Sequence, residues 1–134
     1  MDNPYAAPRG EILTPVGSQA PLTWKEILFS FEGRIPRRTF WGVLLVMNVI
    51  GGVVNWLIET NLPPDAALIA YIAEAIPLVW ISLAIYAKRW HDRDKSGWMT
   101  LIIFIPIVGA IWMLISCGFM RGTFGPNRFG QDPT

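Results

Sequence analysis

The chain has 134 residues, of which 52% are hydrophobic and 13% aromatic, and its formal net charge is +1. This charge gives no electrostatic case for a nucleic-acid partner, and the single cysteine excludes an intrachain disulfide and argues against a zinc-ribbon site. Because the charged residues avoid three long stretches, the composition indicates a small integral membrane protein rather than a soluble domain.

Residues 1–22 carry four prolines and show no hydrophobic periodicity, so we expect a disordered N-terminal tail. We expect no secretory signal here, since the first apolar run begins late and no small-residue cleavage site follows it. The remainder, residues 23–133, is predicted to form one membrane domain.

Residues 23–33 are predicted to form a short amphipathic helix. Thr23 and Glu26 have the spacing of a capping box, and Gly33 is a typical stop signal. The apolar side chains recur at i, i+3, i+4 and i+7, at Trp24, Ile27, Leu28 and Phe31. The helix is too short and too charged to cross a bilayer, so we expect it in the membrane interface; the alternative is a helix packed on a protein core.

Three apolar segments follow, at about 40–58, 66–87 and 98–120. The first and third contain no charge, and the second is interrupted by Glu74 and Pro77. At about 1.5 Å per residue, a helix of roughly 20 residues crosses a hydrocarbon core of about 30 Å. The sequence therefore predicts an all-α membrane protein with three transmembrane helices, preceded by the interfacial helix and followed by an irregular tail at 121–134.

The placement of Lys and Arg predicts the orientation. Basic residues are frequent before the first apolar segment and in the loop 88–97, and the connection between the first two segments has none. By the positive-inside rule, the N-terminus and the loop 88–97 face the cytoplasm, and three spans send the C-terminal tail outside. In the alternative, the third segment bends back at "IPIVG" (105–109) and returns the tail to the cytoplasm. Each arm would then be too short to span, which favours the first arrangement.

Three patches of sequence carry a family resemblance. They are "FSFEGRIPRRTFW" (29–41), "AKRWHDRDKSGW" (87–98) and "GPNRFGQDP" (125–133). Their order and their placement around apolar segments resemble the family called domain of unknown function 805, the YhaH-like small bacterial inner-membrane proteins. One departure is Trp90, where the family more often has a leucine. The resemblance implies a multi-pass protein of the bacterial inner (plasma) membrane, and it implies no activity.

The stretch "KRWHDRDKSGW" (88–98) contains the chain's one histidine, which raises the question of a metal or catalytic site. A transition-metal site usually needs further His or Cys ligands, and basic neighbours repel a cation, so we expect no metal and no cofactor. His91 and Asp92 are adjacent, so on a helix their side chains diverge by about 100°. With no nucleophile placed beside them, we expect no enzymatic activity.

A structural and interfacial role accounts for more of these residues. Lys88 and Arg89 are expected to end the second helix, and Ser96 to cap the third. Asp92 and Asp94 are expected to pair with arginines of this loop or with Arg34, Arg37 or Arg38. Basic and aromatic side chains would then form a cytoplasmic face that binds a membrane partner or anionic lipid headgroups, at about 1 kcal/mol per basic residue near the surface. The candidate residues are Arg34, Arg37, Arg38, Lys88, Arg89, His91, Asp92, Arg93 and Trp98.

Within the apolar segments, two features suggest helix contacts. Asn48, Gly51, Gly52 and Asn55 fall at i, i+3, i+4 and i+7, a stripe of small and amide residues that allows close helix approach. The stripe serves either packing against the second span or contact with another copy or another membrane protein. Glu74 lies well inside its span, where acids are usually functional or paired, and Asn48 or Asn55 is its expected partner.

These patterns favour a non-enzymatic interaction or scaffold protein of the inner membrane. Its expected partners are the lipid bilayer, anionic lipid headgroups, and a second copy or another membrane protein. The alternative is a small channel or transporter component that uses Glu74.

Overall fold

The computed structural model describes residues 21–133. Its helical segments, in chain order, are α1 (Trp24–Phe29), α2 (Arg37–Asn61), α3 (Pro64–Asp92), a 3₁₀ helix (Gly97–Phe104), α4 (Val108–Met113) and a π-helical turn (Leu114–Phe119). Within this range the only extended pairing is one isolated bridge between Asn127 and Gly130, so the described fold is all-α, as predicted. The first 20 residues of the predicted tail lie outside the described range.

The helices α2 and α3 are each long and apolar enough to cross a membrane. They have 25 and 29 residues, or roughly 37 and 43 Å at about 1.5 Å per residue. Most of their apolar windows are exposed on the isolated chain, which is unlike the buried core helix of a soluble protein. The helices predicted at 40–58 and 66–87 are therefore present, with lipid the natural environment for their exposed sides.

The ends of these two helices have local causes. Pro36 precedes the first turn of α2 and its carbonyl accepts from Phe40 N–H at 3.1 Å. Pro64 opens α3, where a fixed φ and a missing N–H cost nothing. The expectation that Lys88 and Arg89 end this helix is wrong, because both side chains find buried acceptors and the helix continues to Asp92.

The apolar segment 98–120 is not one helix, and the prediction of a third continuous transmembrane helix is wrong. The 3₁₀ helix ends at Phe104, the chain turns at 105–107, and a second helical arm runs back over Val108–Phe119. Pro106 has no N–H to continue a helix, and Ile107 adopts a positive φ of 62°. Gly109 lets the arms touch, since a Cβ there would lie 1.8 Å from the Ile102 carbonyl oxygen.

This hairpin is too short to cross a bilayer. Its arms have 8 and 12 residues, or about 16 Å at 3₁₀ rise and about 18 Å at α-helical rise. Each arm therefore spans roughly half of a hydrocarbon core of about 30 Å. The 3₁₀ arm packs on α3, and the π-helical turn packs on α2 and α3. Ser96 caps the 3₁₀ arm, as predicted for the start of the third apolar segment, by accepting a hydrogen bond from Trp98 N–H.

The helix α1 contains the predicted capping box. Thr23 Oγ1 accepts from Glu26 N–H at 3.3 Å, and the Glu26 carboxylate accepts from Thr23 N–H at 2.8 Å. The hydrogen bonds from the Thr23 backbone and hydroxyl hold the pKa of the exposed Glu26 carboxyl below its usual range. The helix ends at Phe29, earlier than predicted, and Gly33 instead supplies a positive φ of 89° where the chain turns toward α2.

The buried core lies at one end of the helix pair, where α2 begins and α3 ends. It contains Ile27, Ile35, Phe40, Val43, Ile85, Trp90, Met113 and Cys117. The buried position of Cys117 agrees with its expected role as a small packing residue. Because α1 and the base of the hairpin also join this core, the opposite halves of α2 and α3 are left with little cover.

Candidate functional site

Asp92, the last residue of α3, is the centre of a buried ion-pair network. Its Oδ1 accepts from Arg34 Nε at 3.1 Å and Nη2 at 3.0 Å, and its Oδ2 accepts from Arg89 Nη1. All three residues are at most 5% exposed. Arg89 and Asp92 meet because positions i and i+3 share a helix face, and the turn at Gly33 brings Arg34 to them. One carboxylate thus neutralises only one of two buried guanidinium groups.

The remaining N–H groups of Arg89 bind backbone carbonyls on two other segments. The acceptors are Ile35 at 3.1 Å, Cys117 at 2.7 Å and Met120 at 3.0 Å. The carbonyls at the end of a helical segment lack intrahelical donors, and Arg89 supplies donors to those of the hairpin's returning arm. Arg89 thereby connects α3 to the start of α2 and to the base of the hairpin.

Arg34 binds the C-terminal tail in the same way. It donates to the carbonyls of Thr123 at 2.8 Å, Gly125 at 2.8 Å and Gly130 at 3.2 Å. The tail therefore lies beside the end of α3, on the same side as the 93–96 turn. In the three-span prediction, the tail lies on the opposite side of the membrane from the end of α3. The structure instead has the alternative arrangement, in which the third apolar segment bends back.

Gly122 and Thr123 fit closely against Asp92. A Cβ at position 122 would lie 2.1 Å from Asp92 Oδ2, so only glycine fits there without displacing the carboxylate. Thr123 N–H donates to the Asp92 carbonyl at 2.8 Å, which caps the C-terminus of α3. The sequence reasoning missed both residues. The signal available was a Gly- and Asn-rich tail, which is also typical of any irregular segment.

Lys88 is fully buried and holds α1 in place. Its Nζ donates to the Ile27 carbonyl at 3.0 Å and to the Ser30 carbonyl. These carbonyls lie at the C-terminal end of α1, where a cation is favourable to the helix dipole. Lys88 therefore acts as a capping residue supplied by a neighbouring helix.

His91 points away from Asp92, as the 100° step between neighbours on a helix requires. Its ring stacks on Phe129 with centroids 3.9 Å apart, and its carbonyl accepts from Asn127 Nδ2 at 2.9 Å. The two members of the His-Asp pair thus bind two different parts of the tail. No group of three or more His, Cys, Asp or Glu side chains that could hold a metal occurs in the range 21–133.

The nine residues predicted to form one basic–aromatic face do not share one surface. Four of them, Arg34, Lys88, Arg89 and Asp92, are buried, so their charges are used inside the protein. Arg37, Arg38 and Trp98 are exposed, and the half-buried Arg93 lies over the Trp90 ring at 5.8 Å. Sequence reasoning did not separate these groups, because a buried and an exposed arginine look alike in a single sequence.

The residues of the intramembrane stripe point toward two different sides of α2. Gly51 is buried against α3, and a Cβ there would lie 3.5 Å from Glu74 Oε1. Gly52 is exposed, with nothing within 4 Å of its Cβ position. Asn48 and Asn55, together with Gly51, Gly52 and Ser82, line an open groove of about 390 Å³.

The expected pairing of Glu74 with an asparagine is wrong. Asn48 Nδ2 donates to the Leu44 carbonyl and Asn55 Nδ2 to the Gly51 carbonyl, so each amide satisfies itself on its own helix. Within the part of the chain that the structure describes, Glu74 Oε1 is buried and has no hydrogen-bond donor.

Comparison with known proteins identifies the family. The inner membrane protein YhaH of Escherichia coli K12 is 36% identical over 109 residues, covering 77% of this chain and 86% of YhaH. The inner membrane protein YhaI of the same strain is 33% identical over 107 residues, covering 77% and 85%. The uncharacterized protein YiiR is 30% identical over 135 residues, covering 83% and 90%. No solved structure matches.

The family model described as "Protein of unknown function (DUF805)" matches residues 28–131, a range that contains α2, α3, the hairpin and the whole arginine–aspartate network. Two of the relatives are named inner membrane proteins, in agreement with two apolar helices of spanning length. The chain therefore belongs to the DUF805 family of inner-membrane-associated proteins, whose molecular function is not known.

Proposed function

We propose that this protein is a non-enzymatic interaction protein of the inner membrane. In this proposal a rigid base, built on Arg34, Arg89 and Asp92, holds α2 and α3 so that one side of α2 binds a helix of a partner within the bilayer. The observation that carries the proposal is the open groove lined by Asn48, Gly51, Gly52 and Asn55.

The proposed topology has two spans and a half-membrane hairpin. The N-terminus, the 93–96 turn and the C-terminal tail face the cytoplasm, and α1 lies in the cytoplasmic interface. The distribution of Lys and Arg supports this orientation. The hydrogen bonds from Arg34 to the tail support a shared side for the tail and the end of α3. Exposed Trp24 and Trp98 suit the headgroup region.

The hairpin covers only the first turns of the groove-bearing face of α2. Arg37 donates to the Phe119 carbonyl at 2.9 Å, and Trp41 donates to the Gly118 carbonyl at 3.1 Å. Positions 37, 41, 48, 52 and 55 follow helical spacing, so the groove continues the face that the hairpin covers. Because the hairpin reaches only about halfway across the core, the deeper part of this face remains open.

The chemistry of the open part suits another helix better than lipid. Small residues let two helix backbones approach closely, and amide side chains exchange hydrogen bonds across the contact. The proposed occupant is α2 of a second copy, because a two-fold contact would set the same amides and glycines against each other.

Cysteine crosslinking in native membranes tests this proposal. With Cys117→Ala as background, Gly52→Cys and Asn48→Cys are expected to give a crosslinked dimer. The control is Ile50→Cys, which is exposed, lies within two residues in depth, and points about 160° away from Gly52. Mass spectrometry of the product identifies the partner. Equal crosslinking at positions 50 and 52 would contradict a specific face, and a different membrane protein at position 52 would replace the second copy.

The second candidate function is proton or ion conduction through Glu74. Its support is the buried, unpaired Oε1, about a third of the way along α3. Replacement of Glu74 by Gln keeps the shape and removes the titratable group, so a conducting protein in vesicles is expected to lose proton flux. An unchanged flux, or no flux through the parent protein, removes this candidate.

A further inference from the structure

A second groove lies between α1 and α2, and Leu78 and Ile81 of α3 also line it. Its volume is about 620 Å³, and it is lined almost entirely by apolar side chains. Trp24 and Leu28 of α1 form its wall at the interface, and Val46 and Ile50 of α2 continue it toward the middle of the membrane. No acidic side chain lines it.

The polar end of this groove carries the positive charge of Arg38. Arg38 is exposed and makes no hydrogen bond or ion pair with any residue between 21 and 133. The first turn of α2 has no side-chain cap and no acidic residue. The N–H groups of this turn therefore add the partial positive charge of a 25-residue helix to that of Arg38.

The length of the groove matches one leaflet of a bilayer. From Arg38 to Ile50 the helix advances 12 residues, or about 18 Å, against about 15 Å for half of a 30 Å hydrocarbon core. A cation at the interface end and apolar walls below it are complementary to a phosphate with an acyl chain attached. Trp24, which is 71% exposed, stands where an indole favours the headgroup region.

We infer that the groove between α1 and α2 binds one anionic phospholipid of the cytoplasmic leaflet. Its phosphate contacts Arg38 and the N-terminus of α2, and one acyl chain lies along Val46 and Ile50. The site opens on the opposite side of α2 from the helix-binding groove, since Ile50 and Gly52 point to opposite sides. Met47 and Leu78 line both grooves where they meet.

The experiment uses the purified full chain, stripped of lipid in detergent and titrated with phosphatidylglycerol or phosphatidylcholine. Native mass spectrometry counts the lipid molecules bound. The parent protein is expected to bind one phosphatidylglycerol more tightly than phosphatidylcholine. Arg38→Ala is expected to weaken phosphatidylglycerol binding about fivefold. Gly42→Phe is expected to abolish binding of both lipids, because the Cβ position of Gly42 faces open space in the groove.

Arg121→Ala is the control, since Arg121 is an exposed arginine outside the groove and lies over the Phe124 ring. If Arg38→Ala does not fold, Arg38→Gln replaces it, with circular dichroism and gel filtration as the criteria. Parent-like binding by both groove variants overturns the inference, and so does an equal loss in Arg121→Ala. Binding that depends on Arg38 but survives Gly42→Phe overturns the acyl-chain groove. A dimer crosslinked through Ile50→Cys places a second copy there instead of a lipid.

Discussion

At the scale of single residues, the chain buries several of its charged side chains. Asp92 lies between two guanidinium groups that are themselves buried, and most of their other N–H groups end on backbone carbonyls. A buried ion pair contributes little net stability compared with apolar residues, but removing one partner leaves the other charge uncompensated. Removal of one charged partner from the network is therefore expected to lower the stability of the protein strongly.

Asp92→Asn is expected to destabilise the protein by about 3–5 kcal/mol, because both buried arginines lose their counter-charge. The measurement is the midpoint of thermal unfolding in detergent. The control is Asp94→Asn, since the Asp94–Arg128 pair is 3.2 Å apart but largely exposed and is worth at most about 1 kcal/mol. Equal losses in the two variants would show that the network carries no special stability.

Gly122→Ala tests the fit of the tail against the same carboxylate. The added Cβ would lie 2.1 Å from Asp92 Oδ2, so it must displace either the tail or Asp92, at a cost of about 1–3 kcal/mol. Gly42→Ala is the matched control, because nothing lies within 4 Å of its Cβ position and alanine favours a helix by about 1 kcal/mol. A neutral Gly122→Ala, measured by the same unfolding midpoint, would mean that the tail is not held against Asp92.

At the scale of the elements, hydrophobic length predicted α2 and α3 well but failed for the segment 98–120. Apolar composition reports affinity for lipid, and it does not report whether the backbone continues as one helix. The sign of a break was present in "IPIVG", because Pro106 removes an N–H and Gly109 allows the arms to touch. Hydrophobic length nevertheless favours one continuous helix, since each arm alone is too short to span.

The helix α1 depends on a residue from another element. Lys88 supplies donors to the last carbonyls of this six-residue helix, which is too short to be stable alone. Lys88→Met is expected to weaken this contact by about 1.5–3 kcal/mol, the range for hydrogen bonds to charged groups. Amide hydrogen exchange over 24–30 is then expected to rise by about tenfold or more, with α2 and α3 unchanged.

Lys95→Met is the control for this exchange measurement, since Lys95 is exposed and belongs to the turn after α3. An unchanged exchange rate in Lys88→Met would show that Ile27 and the other apolar contacts hold α1 without the cap. A general rise across α2 and α3 would instead assign Lys88 to the stability of the whole base.

At the scale of the whole molecule, the sequence predicted that Asp92 pairs with arginines, but it could not single out which ones, because the network joins distant positions. Arg34 and Asp92 are separated by 58 residues, and Arg34 and Gly130 by 96. Local spacing predicted the capping box, the Ser96 cap and the divergence of His91 from Asp92. Local spacing does not show which arginines are buried. The residues predicted to form one basic–aromatic face are therefore divided in the structure into a buried group and an exposed group.

The hairpin and the tail contacts together lead to one prediction about the molecule as a whole. With two spans and a half-membrane hairpin, a C-terminal fusion to a fluorescent protein that folds only in the cytoplasm is expected to fluoresce. A C-terminal alkaline phosphatase, which is active only outside, is expected to be inactive, while the same enzyme inserted at position 62 is active. The physical reason is that Arg34 and Asp92 hold the tail beside the end of α3, so the tail cannot leave this side without opening a buried charge network.

Phosphatase activity at the C-terminus would restore three spans and would require the network to be absent in the membrane. The same two C-terminal reporters, fused to the Asp92→Asn variant, separate the effect of the hairpin from that of the network. If the hairpin alone sets the topology, the tail stays inside even when the network is broken.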